Sequence, residues 1–223
     1  MSQILEEMKR RHSVRQYKDE PLSNEEIEAL NAEIRAINLE SGLKISLVTN
    51  ERRAFQTRIA KYGKFEGVSN YFAIIGKKSK QLCELSGYYG ERLVLFCHRM
   101  GLATCWVGIG YKVIPDAFEI DDGDKLVILV AVGHGRHRGL PRKSKSISDV
   151  SNAQADSPEW FTLGVEAALT APTAINQQKF YFTLNPDGTV SAKSKFGPYS
   201  KVDLGIAKYH FELCAGAKNF KFT

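Results

Sequence analysis

The chain has 223 residues and a formal net charge of +6 at pH 7, with 43% hydrophobic and 25% charged residues. These fractions are those of an ordinary globular protein, and the length allows a full hydrophobic core in one large domain or two smaller halves. The pI near 9.1 favours anionic ligands such as nucleotides without requiring nucleic acid.

The composition also excludes several classes of protein. No stretch approaches the ~18 apolar residues of a membrane span, and the first residues lack the apolar core of a signal peptide. Four cysteines, at 83, 97, 105 and 214, show no CxxC or CxxH spacing, so neither a zinc site nor a disulfide framework is predicted. Cys97, Cys105 and Cys214 are expected to be small buried residues in a reducing cytoplasm.

A short amphipathic helix at Ile4–Met8 is expected to lead into a basic turn at Lys9–Arg15. This turn contains four cations, His12 and Ser13 within seven residues. Forked guanidinium donors and a hydroxyl are suited to binding a phosphate or another anion. The alternative is that the cations only complement the helix dipole.

The next elements follow standard sequence signals. A helix capped by Ser23 or Asn24 is predicted to end at Gly42, and strands are predicted at 43–49 and 70–76. The segment 51–68 between the strands is polar, and its loop is predicted at 61–67. A long helix is expected from about Ser79, as its cap, to Met100. A strand at 104–107 then enters a glycine-rich turn at 108–110, and the strand at 126–132 is predicted to be central because it is apolar on both faces.

The second part of the chain begins with a strongly basic segment at 134–145, which is either a solvated linker or a second source of phosphate contacts. A helix starting near Ser157, a loop at 172–178 and a hairpin around Asn185–Gly188 are predicted to follow. The last elements are a helix at about 201–214, stopped by Gly216, and a short strand at 220–222.

Both parts of the chain therefore have the order helix, strand, strand, helix. Gly90 and Gly101 bracket one predicted helix, and Gly205 and Gly216 bracket another at the same separation. This echo predicts two related halves. The expected division is an N-terminal half at 1–133, a basic connecting segment at 134–153 and a C-terminal half at 154–223.

Four stretches resemble motifs of the FMN-dependent nitroreductases. Arg11–Arg15 resembles the family's phosphate and ribityl motif, and residues 172–178 resemble its Pro-Ser-x-x-Asn-x-Gln loop, with Lys179 and Phe180 in place of Pro-Trp. Residues 101–108 resemble its Gly-Leu-Gly-Thr-Cys-Trp-Ile-Gly segment. Residues 141–143 resemble the basic motif after its last core strand.

The resemblance implies an α+β fold, with a mixed or antiparallel sheet flanked by helices. It implies that Arg11, His12, Ser13 and Arg15 bind the phosphate and ribityl chain of FMN, with added charge from Arg142 and Lys143. The isoalloxazine would be lined by Pro172, Thr173, Ala174 and Asn176. The backbone amide of Gly108, positioned by Trp106 and Val107, is the candidate partner of flavin N5.

The order of the motifs departs from the family pattern, because the amide-rich loop comes late in the chain instead of after the first long helix. This order resembles a variant branch of small nitroreductase-like proteins in which one chain imitates the usual dimer, a pseudo-dimer. We therefore expect one FMN site per chain, and a monomer or a weak homodimer in the cytoplasm.

The implied activity is transfer of hydride from NADH or NADPH, through FMN, to a nitroaromatic, a quinone or a similar small-molecule acceptor. No catalytic side chain and no metal are assigned, since hydride transfer is flavin chemistry. The alternative is a flavin-binding or regulatory protein with little turnover, because Lys179 and Phe180 alter the loop. Nucleic-acid binding by 134–145 is disfavoured, since that segment has no aromatic platform. His98 and His210 are expected to be structural, and Gly108–Gly110 lacks the setting of a Rossmann fingerprint.

Overall fold

The computed structural model describes residues 3–223. Helices and antiparallel strands alternate along the chain, so the predicted α+β class is confirmed. The helices are α1 Gln3–Arg10, α2 Asn24–Ser41, α3 Arg58–Tyr62, α4 Leu82–Arg99, α5 Ile147–Val150, α6 Glu159–Ala168 and α7 Ser200–Ala215. The strands are β1 Lys44–Val48, β2 Asn70–Lys77, β3 Ala103–Val107, β4 Asp124–Gly133, β5 Phe180–Leu184 and β6 Val190–Ser194.

The contacts within the chain define two compact units. The sheet unit comprises residues 11–82 and 92–140, and the hairpin unit comprises helix α1, residues 83–91 and residues 141–223. Helix α4 contributes to both units. The division by chain order at 1–133, 134–153 and 154–223 stays a prediction.

The sheet unit is built on four antiparallel strands in the order β1-β2-β4-β3. Strand β4 lies between β2 and β3, and its residues from Ile128 to Gly133 are all buried. The prediction that this strand is central is therefore confirmed. Phe55, Tyr71 and Leu129 belong to the hydrophobic core of this unit.

Helix α2 shows why local signals succeed. Ser23 accepts a hydrogen bond from the backbone of Glu26 at 3.2 Å, while the Glu26 carboxylate accepts one from the backbone of Ser23 at 2.8 Å. This capping box starts the helix where the sequence predicts it. Gly42 ends it with φ +70°, a left-handed conformation that glycine adopts without steric cost.

Two features of this unit differ from the sequence analysis. The polar segment 51–68 contains, besides its predicted loop, a 3-10 turn at Arg53–Phe55 and helix α3, neither of which was predicted. Phe55 and Ala60 are buried in its core, which the polar composition of the segment conceals. Helix α4 begins at Leu82 after Gln81, without a side-chain cap, and Ser79 does not start it.

In the hairpin unit, β5 and β6 pair around the predicted turn, where Gly188 donates its N–H to the carbonyl of Asn185 at 3.0 Å. The strand predicted at 220–222 is reduced to a single bridge between Val190 and Phe222. Short helix α5, within the predicted connecting segment, was not predicted. The aromatic core includes Phe182 stacked on Phe211, with ring centroids 4.7 Å apart.

The order helix, strand, strand, helix is observed as α2, β1, β2, α4 and again as α6, β5, β6, α7. The prediction that two pairs of glycines bracket helices is only half correct. Gly101 and Gly216 have φ +79° at helix ends, whereas Gly90 and Gly205 lie inside helices α4 and α7. Within residues 3–223, no helix is long and apolar enough to cross a membrane.

Gly205 lies inside a helix because α4 and α7 touch there. A Cβ at Gly205 would lie 2.0 Å from the carbonyl oxygen of Glu84, and a Cβ at Gly87 would lie 2.0 Å from that of Val202. The two backbones therefore approach too closely for any side chain. A half-buried carboxylate, Glu212, and buried His210 add polar links between the same helices, to Tyr88 at 2.7 Å and to Glu91 at 2.9 Å.

His210 is fully buried, and its other ring nitrogen lies 2.8 Å from the hydroxyl of Thr170. The structural role predicted for this histidine is confirmed. Cys97 and Cys105 are buried as expected, while Cys214 is only half-buried.

We predict that Gly205→Ala destabilises the protein by about 3 kcal/mol, because the new methyl group would separate α4 from α7. Thermal or urea unfolding would measure this loss. Lys201→Ala, on the exposed side of α7, serves as the control and should change stability by less than ~0.5 kcal/mol. A gain from Gly205→Ala, the ordinary result of ~0.5–1 kcal/mol in a helix, would contradict the close contact.

Candidate functional site

In the sheet unit, the basic segment Arg11–Arg15 lies along strand β3. Helix α1 ends at Arg10, and Ser13 then forms a parallel bridge with Thr104. The backbone N–H of Val14 donates to the carbonyl of Thr104 at 3.0 Å. The segment is therefore an extended chain docked beside a strand.

Main-chain hydrogen bonds fix the continuation of this segment on two sides. Glu66 donates its N–H to the carbonyl of Arg15 at 3.0 Å, and Arg136 donates its N–H to the carbonyl of Gln16 at 3.0 Å. Tyr17 is buried, and its hydroxyl donates to the carbonyl of Val14 at 2.8 Å. Such pairing positions the preceding side chains rigidly, as a binding motif requires.

The cationic groups of the segment converge near β3. Burial raises the pKa of the Cys105 thiol, while Arg15, Ser13 and Arg11 act in the opposite direction. Arg11 is only 5% exposed, whereas Arg15 is exposed with its guanidinium 5.9 Å above the ring of Phe65. The structure thus brings the predicted phosphate-binding residues of this unit together.

A glycine of the basic segment packs directly against this motif. Gly139 has φ +81°, and a Cβ there would lie 2.5 Å from the Cβ of His12 and 3.1 Å from the carbonyl oxygen of Ser13. Both the left-handed backbone and the close approach require glycine. The sequence offered no signal for this contact, because it joins residues more than a hundred positions apart.

Three further residues that were predicted to contact FMN lie at the end of the same strand. Trp106 and Val107 are the last residues of β3, half-buried and buried respectively, and Gly108 comes directly after the strand end. Trp106 pairs with Val130 of the central strand β4. The sheet therefore fixes the position of the Gly108 backbone relative to Ser13 and Thr104.

In the hairpin unit, the predicted loop at 172–178 has an unusual backbone. Ile175, Asn176 and Gln178 have φ values of +47°, +56° and +44°, although none is glycine. Left-handed backbone costs ~1–3 kcal/mol per non-glycine residue and persists only when surrounding contacts enforce it. Ile175 is β-branched and 88% exposed at the tip of the loop.

The basic residues Arg142 and Lys143 hold one side of this loop. Arg142 donates to the Oδ1 of Asn176 and to the carbonyl of Leu169, each at 3.2 Å. The carbonyl of Lys143 accepts hydrogen bonds from the side-chain amides of Asn176 at 2.8 Å and Gln178 at 3.1 Å. The structure therefore brings Arg142 and Lys143 together with the loop, and their proposed contact with a phosphate stays a prediction.

A buried carboxylate holds the other side. Asp203, in the first turn of α7, is 3% exposed and accepts hydrogen bonds from the backbone of Ala174 at 3.0 Å and the Nε2 of Gln177 at 2.7 Å. Burial raises the pKa of Asp203 to about 6, although Gln177, Ala174 and Arg142 act in the opposite direction. Keeping this carboxylate ionised in the fold thus costs ~3 kcal/mol more than in water.

Sequence reasoning missed Asp203, and it did not place Gln177 or Gln178 among the flavin-contacting residues. An acidic residue in the first turn of a helix is common and carries no specific signal. The strained backbone of the loop is also invisible in its sequence. Only the fold shows that these side chains enforce the loop.

The residues of each unit fit the part of FMN that the resemblance assigns to them. Two guanidinium groups and a hydroxyl on Arg11–Arg15 have the donor chemistry of a phosphate site. In the loop, Asn176 uses its Oδ1 twice and one Nδ2 hydrogen internally, which leaves the exposed edge mainly apolar and suited to a flat ring. Within residues 3–223, no three His, Cys, Asp or Glu side chains are grouped where they could bind a metal.

Solved structures with a similar fold are described as nitroreductases. A "putative nitroreductase" from Thermotoga maritima is 22% identical, with a TM-score of 0.65 and coverage of 96% of this chain and 83% of the other. One from Desulfovibrio desulfuricans, solved in complex with FMN, is 18% identical, with a TM-score of 0.54 and coverage of 71% and 98%. A nitroreductase family protein from Streptococcus pneumoniae is 15% identical, with a TM-score of 0.56 and coverage of 68% and 100%.

At these identities the likenesses establish the fold alone, which confirms the nitroreductase-like architecture expected from the motifs. No curated protein shows significant similarity to the sequence. The family model described as "Putative TM nitroreductase" matches residues 3–215, nearly the whole chain. The chain therefore belongs to this nitroreductase family.

Proposed function

We propose that this protein is an FMN-dependent oxidoreductase that takes hydride from NADH or NADPH and passes it to a nitroaromatic, a quinone or a similar acceptor. Family membership supports the reaction class, and the Desulfovibrio desulfuricans structure with FMN supports the cofactor. The observation that carries the proposal is the cationic segment Arg11–Arg15 held by backbone pairing beside strand β3.

When bound, FMN would supply the hydride chemistry itself, so the protein has to bind, orient and shield it. In the sheet unit, Arg11, Ser13 and Arg15 would hold the phosphate, and His12 would contact the ribityl chain. The backbone N–H of Gly108 would donate to the ring from the end of β3. These roles require donors at fixed positions, which the strand pairing supplies.

In the hairpin unit, Pro172, Thr173, Ala174 and Asn176 would line the isoalloxazine. Arg142, which donates to Asn176 and Leu169, would add positive charge for the phosphate. Lys143 is exposed and would add charge. We propose a stoichiometry of one FMN per chain, in a pseudo-dimer.

A second candidate, flavin binding with little turnover, is favoured by one observation. The two residues that replace the family's Pro-Trp are tied into the hairpin unit. Lys179 donates its Nζ to the carbonyl of Phe196 at 2.9 Å, and Phe180 is buried as the first residue of β5. The acceptor-binding surface at this point therefore differs from that implied by the family motif.

We predict that Arg15→Ala weakens FMN binding roughly tenfold or more, since a charge-assisted contact with a phosphate is worth ~1.5–3 kcal/mol. Fluorescence titration of the apoprotein with FMN measures the change. Arg10→Ala is the matched control, because Arg10 is an exposed cation at the end of α1 and should leave the affinity unchanged. Equal affinities of both variants and the wild type would remove Arg15 from the phosphate site.

We also predict that the FMN-loaded protein oxidises NADH or NADPH in the presence of a quinone and of a nitroarene. Steady-state absorbance of the nicotinamide at saturating acceptor measures the turnover. FMN binding without oxidation above the rate of free FMN would instead support the second candidate.

A further inference from the structure

The 174–178 loop of the hairpin unit is strained and held from two sides. Ile175, Asn176 and Gln178 all have left-handed backbone. On one side, Arg142 and the carbonyl of Lys143 bind the side chains of Asn176 and Gln178. This side is divided among several donors and acceptors, so no single group holds the loop there.

The opposite side depends on one carboxylate. Asp203 accepts hydrogen bonds from the backbone of Ala174 and the side chain of Gln177, which are the residues flanking the strained pair Ile175 and Asn176. Gln177 also donates to the carbonyl of Pro198 at 2.7 Å. A Cβ at Gly197 would lie 2.5 Å from the Oε1 of Gln177, so this side chain packs closely against the backbone of Gly197.

We propose that Asp203 is a positioning residue that holds the 174–178 loop in the conformation required to contact the flavin. Asp203 acts through Ala174 and Gln177 and is itself buried, so it does not touch the cofactor. This inference rests on the proposed function, since the loop is assigned to the flavin there.

The position of the charge supports this role. A buried carboxylate whose pKa is raised by desolvation disfavours the ionised fold, so its charge is not there to stabilise the protein. A neutral side chain of the same shape would relieve that penalty. It would also place a second N–H group opposite the Nε2 of Gln177 and lose the strong acceptor.

Polar groups of the loop are hydrogen-bonded to neighbouring groups of the protein. Asn176 accepts hydrogen bonds from Arg142 and Gln178 and donates to Lys143, while the backbone N–H of Gln178 donates to the hydroxyl of Thr173 at 3.1 Å. What remains directed outward is the exposed side chain of Ile175. Loss of the Asp203 contacts would therefore displace Ala174 and Asn176, the residues of this loop that are assigned to the ring.

The decisive variant is Asp203→Asn, with Glu212→Gln as the matched control. Glu212 is a half-buried carboxylate on the same helix. It accepts a hydrogen bond from Tyr88, away from the loop. Hydrogen exchange of the apoprotein should show faster exchange at the amide of Ala174 in Asp203→Asn only. The same variant should bind FMN roughly tenfold more weakly, because charge-assisted hydrogen bonds are lost. Its thermal midpoint at pH 7 should be no lower than that of the wild type.

The pH dependence supplies a second readout. As pH falls through about 6, Asp203 gains a proton in the fold, so the wild type should come to resemble Asp203→Asn. Arg142 is the charged group that acts on this carboxyl, and it does not titrate in this range. The FMN phosphate itself titrates near pH ~6. The quantity to follow is therefore the FMN dissociation constant of Asp203→Asn divided by that of the wild type. That ratio should shrink toward one between pH 7 and pH 5.

The contribution of Asp203 to the free energy of unfolding of the wild type should rise as pH falls, whereas the affinity for FMN should fall. Because the folded pKa of Asp203 exceeds the unfolded value of 3.8, the penalty for burying its charge is present above pH 6 and is relieved as pH falls toward 4. Any stability advantage of Asp203→Asn at neutral pH should therefore disappear in acid.

Several outcomes would overturn the proposal. Unchanged exchange at Ala174 in Asp203→Asn would show that the carboxylate does not hold the loop. Faster exchange with unchanged FMN affinity would show that the loop does not serve the flavin. Failure of the wild type to bind FMN at all would instead refute the proposed function, and this inference with it.

Discussion

The carboxylate of Asp203 accepts two hydrogen bonds that determine the shape of the loop at 174–178. Its position depends in turn on helix α7, and α7 is fixed by the contact at Gly87 and Gly205, where no side chain fits. The buried link from His210 to Glu91 joins the same two helices. In the hairpin unit, the close backbone contact between α4 and α7 thus positions the carboxylate of Asp203. This carboxylate in turn holds the strained loop at 174–178.

The sheet unit fixes its predicted FMN-binding residues in a different way. Its cationic residues lie on an extended segment that pairs with β3 and is bonded on both sides to Glu66 and Arg136. Buried Tyr17 anchors the end of that segment. Both units therefore present their polar residues from a rigid backbone, which suits a protein whose chemistry is carried by a bound cofactor.

Features encoded by neighbouring residues could be predicted from the sequence. The capping box of Ser23 and Glu26, the left-handed Gly42 and the hairpin around Asn185–Gly188 depend on residues a few positions apart. The central position of β4 followed from its continuous apolar run. The motif residues lie in two groups, one in each unit, and Arg142 and Lys143 belong to the group of the loop.

Features that depend on distant residues could not be predicted. Asp203 acquires its role only because Gln177 and Ala174, 26 and 29 positions away, are folded against it. Gly139 and Gly205 look like ordinary loop or helix glycines until the contacts with His12 and Glu84 are seen. Arg142 was predicted only to add charge at the phosphate, and nothing in the sequence indicated that it donates to Asn176 and Leu169. Short elements such as α3 were missed because only a few of their residues are buried.

The stoichiometry that we propose is one FMN per chain. The most direct measurement is the absorbance spectrum of the protein after saturation with FMN and removal of the excess, followed by denaturation and quantification of the released flavin. The account predicts bands near roughly 370 and 450 nm, which are properties of oxidised flavin, and one FMN released per chain. A spectrum without these bands, or two flavins per chain, would contradict it.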